Sequence, residues 1–453
     1  MKTTTKWIFG ALGTACLIFA LSPGPEHLIA NPTRWEVREQ FVYLTGLSTM
    51  SLMVLSMVIS VRLPLINHWM RGLDKAYIVH KWTGIVSTIL VVLHWLAEKA
   101  PKWLVEWGVI PNPGELTDGS GFSDLEIDLF QSGVFLVEWV FYGLIILVII
   151  ALSTKIPYHI FRKSHKLFPG IFLIAAYHGA TAQLKERWLT TPAGYLLLIL
   201  LAVGVIAALI GLFQQIGASR KVTAVIQQIE QHDHGILGIR LTMQQTFASA
   251  TTGRGQSIIY QPGQYAFLTF SHDSEPHPFT IASSGDDPNQ LSFAIKELGS
   301  FTTNLAHRLQ IGQPVNVEGP YGEFTFDSPG KRQVWVAGGI GITPFLARLD
   351  YLVRHGGTSQ SIDFWYSTRS DQDTLFPASL APLCQRSGVN FYHLNSTKNE
   401  YLTVDLIQSV VGSFEDVSIW FCGPPAFAQC LLKGLDAYGF DKRRFHYDDF
   451  SMR

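Results

Sequence analysis

The chain changes its hydrophobic rhythm once, near residue 217. Before that point, six stretches near 7–22, 41–61, 76–97, 133–153, 167–181 and 193–213 carry at most one charged residue each. Each approaches the ~20 residues that a helix needs to cross a bilayer, so the pattern predicts six transmembrane helices. Beyond residue 217 the period shortens. Segments such as YAFLTF, LSFAIKEL and PVNVEG, separated by Pro-Gly and Gly-Gln turns, predict an antiparallel β-barrel. From QVWVAGG onward, the strands SIDFWYS and VSIWFCGP alternate with helical stretches, which predicts a parallel sheet of the nucleotide-binding kind. The expected architecture is multidomain: a six-helix transmembrane bundle over 1–217, an antiparallel β-barrel domain over 218–328 and an α/β parallel-sheet domain over 329–453.

Composition agrees with that division and charge orients it. A hydrophobic fraction of 47% with 15% charged residues is high for a soluble protein. The net charge of −1 excludes the basic footprint of a nucleic-acid binder. Arg62, Arg71 and Lys75 follow the second apolar run, Arg162, Lys163 and Lys166 follow the fourth, and Arg220 and Lys221 follow the sixth. The connection 98–130 instead carries Glu98, Glu106, Glu115, Asp118, Asp124, Glu126 and Asp128. The positive-inside rule then puts both termini and the soluble half in the cytoplasm, with the bundle in the plasma (inner) membrane. The first run also fits a cleaved signal peptide, whose removal leaves five spans in the same orientation. The four cysteines contain no C-x-x-C pair and predict neither a disulfide framework nor a zinc site.

Four histidines break the apolar pattern of the bundle. His80 and His94 bound HKWTGIVSTILVVLH, and His165 and His178 bound HKLFPGIFLIAAYH. A polar ring at bilayer depth points to function, because its desolvation must be offset by a partner. Fourteen residues separate His80 from His94, which on a straight helix is ~21 Å along the axis and within ~40° of one face. The thirteen-residue spacing of the second pair turns its rings ~140° apart on an ideal helix. Pro169-Gly170 lies between them, so irregular winding is expected near Pro169. The third and fifth spans run in the same direction, which pairs His80 with His165 near the cytoplasm and His94 with His178 near the outside. Each pair supplies two axial nitrogens for a haem iron, an arrangement suited to carrying electrons.

The soluble half has its own chemistry-bearing motifs. HPFTIASS (277–284) ends a strand with hydroxyls beside aromatic surface, which suits a flavin ring. KELGSFTTNL (296–305) joins Gly299, Phe301 and Thr302 ahead of a helical pattern whose N-terminus suits a diphosphate. AGGIGITPF (337–345) follows a strand and opens a helix, the context of a phosphate loop, with Gly338, Gly339, Gly341, Thr343 and Pro344. One βαβ unit later, Arg369 in YSTRS is placed to fork onto the 2′-phosphate that distinguishes NADPH from NADH. FCGPPAF (421–427) puts Cys422, Gly423 and Pro424 at the end of a later strand, the edge where such a sheet receives its ligand. Phe450 in the terminal FHYDDFSMR offers a ring to shield a flavin face.

With both halves in view, the sequence resembles the ferric reductase and NADPH oxidase superfamily, a six-helix haem domain fused to a ferredoxin-NADP reductase-like module. The resemblance spans nearly the whole chain and rests on the double histidine pair with HPFTIASS, LGSFT, GPYGEF, GGIGITPF, YSTR and CGPP in that order. It implies bis-histidine ligation of two haems, of the b type in such proteins, by His80, His94, His165 and His178. It also implies flavin contacts from His277, Pro278, Phe279 and Thr280, with Ser283 in the same motif, and FAD diphosphate contacts around Gly299 to Thr302. NADPH contacts fall on Gly339, Gly341, Thr343 and Pro344. Cys422 takes a role beside the nicotinamide, and Phe450 covers the isoalloxazine. Two departures stand out: His277 replaces the usual arginine, and Glu98 stands where eukaryotic oxidases often carry another histidine. The implied reaction carries electrons from NADPH through FAD and the haems to an extracytoplasmic acceptor, ferric chelate or oxygen. Arg34 or Arg38, expected in a loop, is a candidate to hold an anionic acceptor or a haem propionate. A haem-based sensor, or an electron-transfer partner for another protein or a quinone, is the alternative.

Overall fold

The computed structural model describes every residue except 1, 31, 112–121, 186, 233–234, 245–256, 272–274, 300, 329, 374–376 and 449–453. Phe450, Glu115 and Asp118 lie outside the described residues. Two compact units, Met1–Ile216 and Gly217–Arg453, follow the change of rhythm in the sequence.

The first unit is helical: α1 (Lys2–Ala20), α2 (Gly24–Ala30), α3 (Arg34–Ser60), α4 (Pro64–Met70), α5 (Leu73–Glu106), α6 (Asp124–Leu152), α7 (Tyr158–His165), α8 (Phe168–Lys185) and α9 (Pro192–Leu212). Local signals set their starts. Thr33 caps α3 through the Glu36 amide, Ser123 and Glu126 form a reciprocal capping box on α6, and Thr191 caps α9 ahead of Pro192. Five spans are long and apolar enough to cross a membrane: α3, α5, α6, α9 and α7 with α8 taken together. The first apolar run qualifies only if α1 and α2 count as one span, and they meet at a 60° bend. The intervening Ser22-Pro23-Gly24-Pro25 explains that bend, since neither proline has an amide to continue the helical ladder.

The irregular winding expected near Pro169 sits at Lys166 and Leu167, between α7 and α8. Pro169 cannot donate to the His165 carbonyl four residues back, so the helix stops at His165 and restarts at Phe168. Small residues then let the helices close up. A Cβ on Gly204 of α9 would lie 2.4 Å from the Phe172 ring, and one on Gly133 of α6 would lie 2.3 Å from the Thr181 hydroxyl oxygen.

In the second unit, an antiparallel sheet contains β1 (Lys221–His232), β2 (Ile236–Met243), β3 (Tyr265–Phe270), β4 (His277–Thr280), β5 (Gln290–Lys296) and β6 (Pro314–Tyr321). Its order is β4-β3-β6-β1-β2-β5, and an antiparallel bridge from Ile281 to Phe293 brings its two edges together. Leu241, Leu268, Phe270, Phe293 and Val317 fill the space enclosed. A five-stranded parallel sheet follows: β7 (Arg332–Gly338), β8 (Ser361–Thr368), β9 (Asn390–Asn395), β10 (Val417–Cys422) and β11 (Phe445–His446) in the order β11-β10-β7-β8-β9. Burial on both faces explains the unbroken apolar runs of β7, β8 and β10. The chain leaves β7 in one direction for β8 and β9 and returns on its other side as β10. The C-terminal ends of β7 and β10 therefore form the switch point of the sheet.

Candidate functional site

The four membrane histidines are half-buried, and the two α5 rings face those at the end of α7 and in α8. The His80 and His165 ring centroids are 5.9 Å apart, and His178 lies within electrostatic reach of His94. Helix α3 fixes the two α5 rings. His80 Nδ1 sits 3.1 Å from the Ser56 carbonyl and 2.9 Å from its hydroxyl, while His94 Nδ1 sits 3.0 Å from the Val42 carbonyl. A carbonyl only accepts, so each Nδ1 carries the proton and each Nε2 keeps its lone pair. The Nδ1 atoms of His165 and His178 are buried without a hydrogen-bond partner. Rings satisfied only as packing groups would not be left so, because an unpartnered buried polar atom is costly. Neutral imidazoles with free nitrogens are the donor set that haem iron takes, so the residues present fit that group.

Arg34 and Arg38 do not lie in a loop, as expected from the sequence, but in the first turns of α3. The loop ends earlier because Thr33 caps the helix. The Arg38 guanidinium donates to the Ala97 carbonyl (2.9 Å) and pairs with the Glu98 carboxylate, so it is committed to α5. Lys99 pairs with Glu138 of α6 (2.6 Å), and Lys185 of α8 pairs with Glu39 of α3. These charges pin four helices together at the end of the bundle that carries His94 and His178.

At the switch point of the parallel sheet, the glycines have separate reasons. Gly339 adopts φ +56°, and nothing stands within 4 Å of the place its Cβ would take. A Cβ on Gly341 would lie 2.1 Å from the Cys422 carbonyl oxygen, and one on Gly338 would lie 2.9 Å from the Pro424 ring. Gly338, Gly341, Cys422, Gly423 and Pro424 therefore form one tightly packed pair of turns. The helix Thr343–Arg354 starts there, with the Thr343 hydroxyl donating to the Ile340 carbonyl (2.8 Å) and Pro344 in its first turn.

Burial first, and the nearby Asp448 carboxylate second, push the Cys422 thiol up to about 12. At pH 8 that leaves about one part in ten thousand as the reactive thiolate. Iodoacetamide at pH 8 is expected to alkylate the exposed Cys430 long before Cys422, as followed by peptide mass spectrometry. Equal labelling rates would overturn this description of the site.

Arg369 is exposed just after β8, and its backbone carbonyl is held by the Thr397 amide (3.0 Å) and the Ser396 hydroxyl (3.2 Å). Among the described residues its guanidinium makes no hydrogen bond or ion pair. The neighbouring Lys398 is occupied by Asp371 at 2.7 Å.

Around β4, the His277 ring stacks on Phe301 with centroids 3.4 Å apart and an interplanar angle of 15°. Pro278 and Phe279 pair with Phe267 and Ala266 of β3, Thr280 pairs with Tyr265, and Phe279 packs on the barrel core. The Ser283 hydroxyl bonds Tyr260 (2.6 Å) and accepts from the Ser292 amide (3.1 Å). The Thr302 hydroxyl accepts from the amides of Leu298 (2.9 Å) and Gly299 (3.2 Å). The helix beyond it is only Leu305–Arg308. The long helix N-terminus expected there is thus a compact turn whose amides are capped by a threonine.

The terminal FHYDDFSMR, expected to offer only a shielding ring, also contributes a strand. Strand β11 pairs with β10, and two residues later the Asp448 carboxylate approaches Gly322, which has φ +97°, to within 2.9 Å of where its Cβ would stand. The signal was present only as the glycine in GPYGEF.

Three sequence families match successive parts of the chain: the ferric reductase like transmembrane component over 45–176, the FAD-binding domain over 239–325 and the oxidoreductase NAD-binding domain over 335–433. The chain is 27% identical over 210 residues to the glycine betaine monooxygenase reductase subunit of Pseudomonas aeruginosa, covering 43% of this chain and 57% of that protein. It is 28% identical over 207 residues to the propane 2-monooxygenase reductase component of Rhodococcus jostii, covering 42% and 56%. A flavohemoprotein of Vibrio cholerae is 24% identical over 221 residues, covering 45% and 55%. The chain thus spans little more than half the length of these relatives. Among solved structures, the FAD/NAD-binding domain of the nitric oxide dioxygenase from Vibrio cholerae is similar at a TM-score of 0.42 and 22% identity, over 51% of this chain and 98% of that one. Apolar spans, histidine pairs and the family matches converge: this is a multi-pass membrane protein that joins a ferric reductase-like transmembrane domain to FAD-binding and NAD-binding oxidoreductase domains in one polypeptide.

Proposed function

We propose that this chain is an NAD(P)H-dependent transmembrane oxidoreductase. It passes electrons from cytoplasmic NADPH through FAD and two bis-histidine haems to an acceptor on the outer face, either ferric chelate or oxygen. In this reading α1 and α2 together make the sixth span. The observation that carries it is the set of two histidine pairs, with the α5 rings of His80 and His94 held in one tautomer by α3 and the rings of His165, at the end of α7, and His178, in α8, left with unpartnered Nδ1 atoms. When bound, FAD accepts a hydride and releases electrons singly, and each haem iron carries one electron at a time.

The chain's own residues do the rest. His80 with His165, and His94 with His178, would hold two haems, which would supply one-electron transfer. His277, Pro278, Phe279, Thr280 and the turn from Gly299 through Phe301 to Thr302 hold FAD. Ser283 keeps that strand in place through Tyr260 and Ser292. The packed turns of Gly338, Gly339, Gly341, Gly423 and Pro424 let the dinucleotide backbone approach, with Thr343 and Pro344 opening the helix behind it. The neutral Cys422 thiol would line the nicotinamide side, and Phe450 would supply the ring that shields the flavin. Arg369 takes the 2′-phosphate with a guanidinium no neighbour has claimed.

A reduced-minus-oxidised visible spectrum of the purified full chain tests this reading: low-spin haem bands that appear on adding NADPH support it, and their absence removes it. Turnover with ferric chelate that persists under nitrogen excludes an obligate oxidase. Replacing Arg369 by alanine is expected to raise KM for NADPH by ~10-fold or more, the worth of one charge-assisted hydrogen bond, and to leave KM for NADH unchanged. Equal effects on both nucleotides would remove the 2′-phosphate role.

A further inference from the structure

The hydrogen bonds that hold the α5 rings form a repeat of their own. Ser56 and Val42 are fourteen positions apart on α3, as His80 and His94 are on α5, and the two helices run antiparallel. Each ring therefore meets α3 in the same register. At each level a hydroxyl joins the carbonyl. Ser56 Oγ is 2.9 Å from His80 Nδ1, and Thr45 Oγ1 is 3.3 Å from His94 Nδ1. Ser56 and Thr45 are eleven residues apart, close to three whole helical turns, so both occupy the face of α3 that meets α5. Both residues are buried.

The Thr45 hydroxyl already donates toward the carbonyls of Phe41 (2.7 Å) and Val42 (3.0 Å), which leaves its lone pairs to accept from His94. Gly46 completes the cradle, since a Cβ there would lie 3.2 Å from His94 Cε1. Nothing comparable meets the other two rings: His165, at the end of α7, and His178, in α8, keep buried Nδ1 atoms with no partner among the described residues.

We infer that Ser56 and Thr45 are positioning residues, each setting the orientation and electron donation of one α5 histidine, and that the two ligands of each iron, one from α5 and the other from α7 or α8, are unequal. An imidazole whose N–H is hydrogen-bonded is the stronger donor, and such partners fix a ligand's tautomer and basicity. His80 and His94 are then the firm ligands of their respective haems, while His165 and His178 are the weaker ones. The inference rests on the bis-haem reading above.

The test is a spectroelectrochemical titration of the purified full chain, with haem content measured in parallel. Wild type is expected to show two haems per flavin and two titrating components. Ser56→Ala raises the potential of one component and Thr45→Ala that of the other, because weaker donation favours the reduced iron. Haem content stays at two in both, and Thr45→Ser restores the wild-type curve. If both haems are present and neither variant moves a component, or both move the same one, the positioning role is overturned. If wild type holds no haem, the underlying reading falls instead.

Discussion

Replacing His178 with alanine is expected to cost the protein one of the two haems proposed for it and to reduce electron delivery to the proposed outer acceptor to the background of the assay. His178 lies in α8 with its Nδ1 buried and unpartnered, within electrostatic reach of His94. Its removal takes away a ligand without breaking a hydrogen bond, so the helix bundle has no other reason to fail. His94, still tied to the Val42 carbonyl, retains its tautomer but loses the opposing nitrogen. Haem per flavin, read from a pyridine haemochromogen spectrum, should fall from two toward one, while NADPH-driven reduction of the flavin continues. A variant that keeps two low-spin haems would remove His178 from the ligand set.

The second large effect belongs to the other unit. Gly341→Ala puts a methyl group 2.1 Å from the Cys422 carbonyl oxygen and 3.0 Å from the Gly423 amide nitrogen. Both neighbours are backbone, so no side chain can swing aside and the two turns at the switch point must separate. A displacement of ~1 Å in such a site costs ~100-fold in rate, and that is the fall expected in kcat/KM with NADPH. Because the histidines lie in Met1–Ile216, the dithionite-reduced haem spectrum should be unchanged, which separates a local failure from a collapsed protein. Gly339→Ala gives a contrast within the same triplet. Its Cβ meets nothing, and only the left-handed backbone resists, at about 1 kcal/mol. Equal loss in the two variants would mean that packing against Cys422 is not what Gly341 provides.

Much of this site is legible in the linear sequence, and the reasons are periodic. A span near 20 residues announces itself by the absence of charge, and fourteen residues return a helix to nearly the same face, so His80 and His94 are readable as a stacked pair. Glycine triplets after a strand likewise announce a turn. Where reading fails, the cause is a partner distant in sequence. Pro169 predicts a disturbance, but its place at Lys166 and Leu167 depends on which carbonyl loses a donor. Arg38 reads as a loop residue because it precedes the apolar run, yet a cap at Thr33 and acceptors at Ala97 and Glu98 draw it into α3. The helix expected after Thr302 shrinks to four residues, since the threonine satisfies the turn by itself.

The sequence by itself determined the division at residue 217, the two strand patterns, the apolar spans and the identity of the four membrane histidines. Each follows from local composition or from a period short enough to be seen along one segment. Only the tertiary structure decided which nitrogen of the His80 and His94 rings is free, because that depends on α3 carbonyls 24 and 52 residues away. It alone separated two of the three glycines of GGIG, Gly339 required by its own backbone angle and Gly341 by a strand 81 residues further on. It also added the fifth strand that carries Asp448 to Gly322. Those choices are made by hydrogen bonds and close approaches between distant segments, and no periodicity along the chain records them.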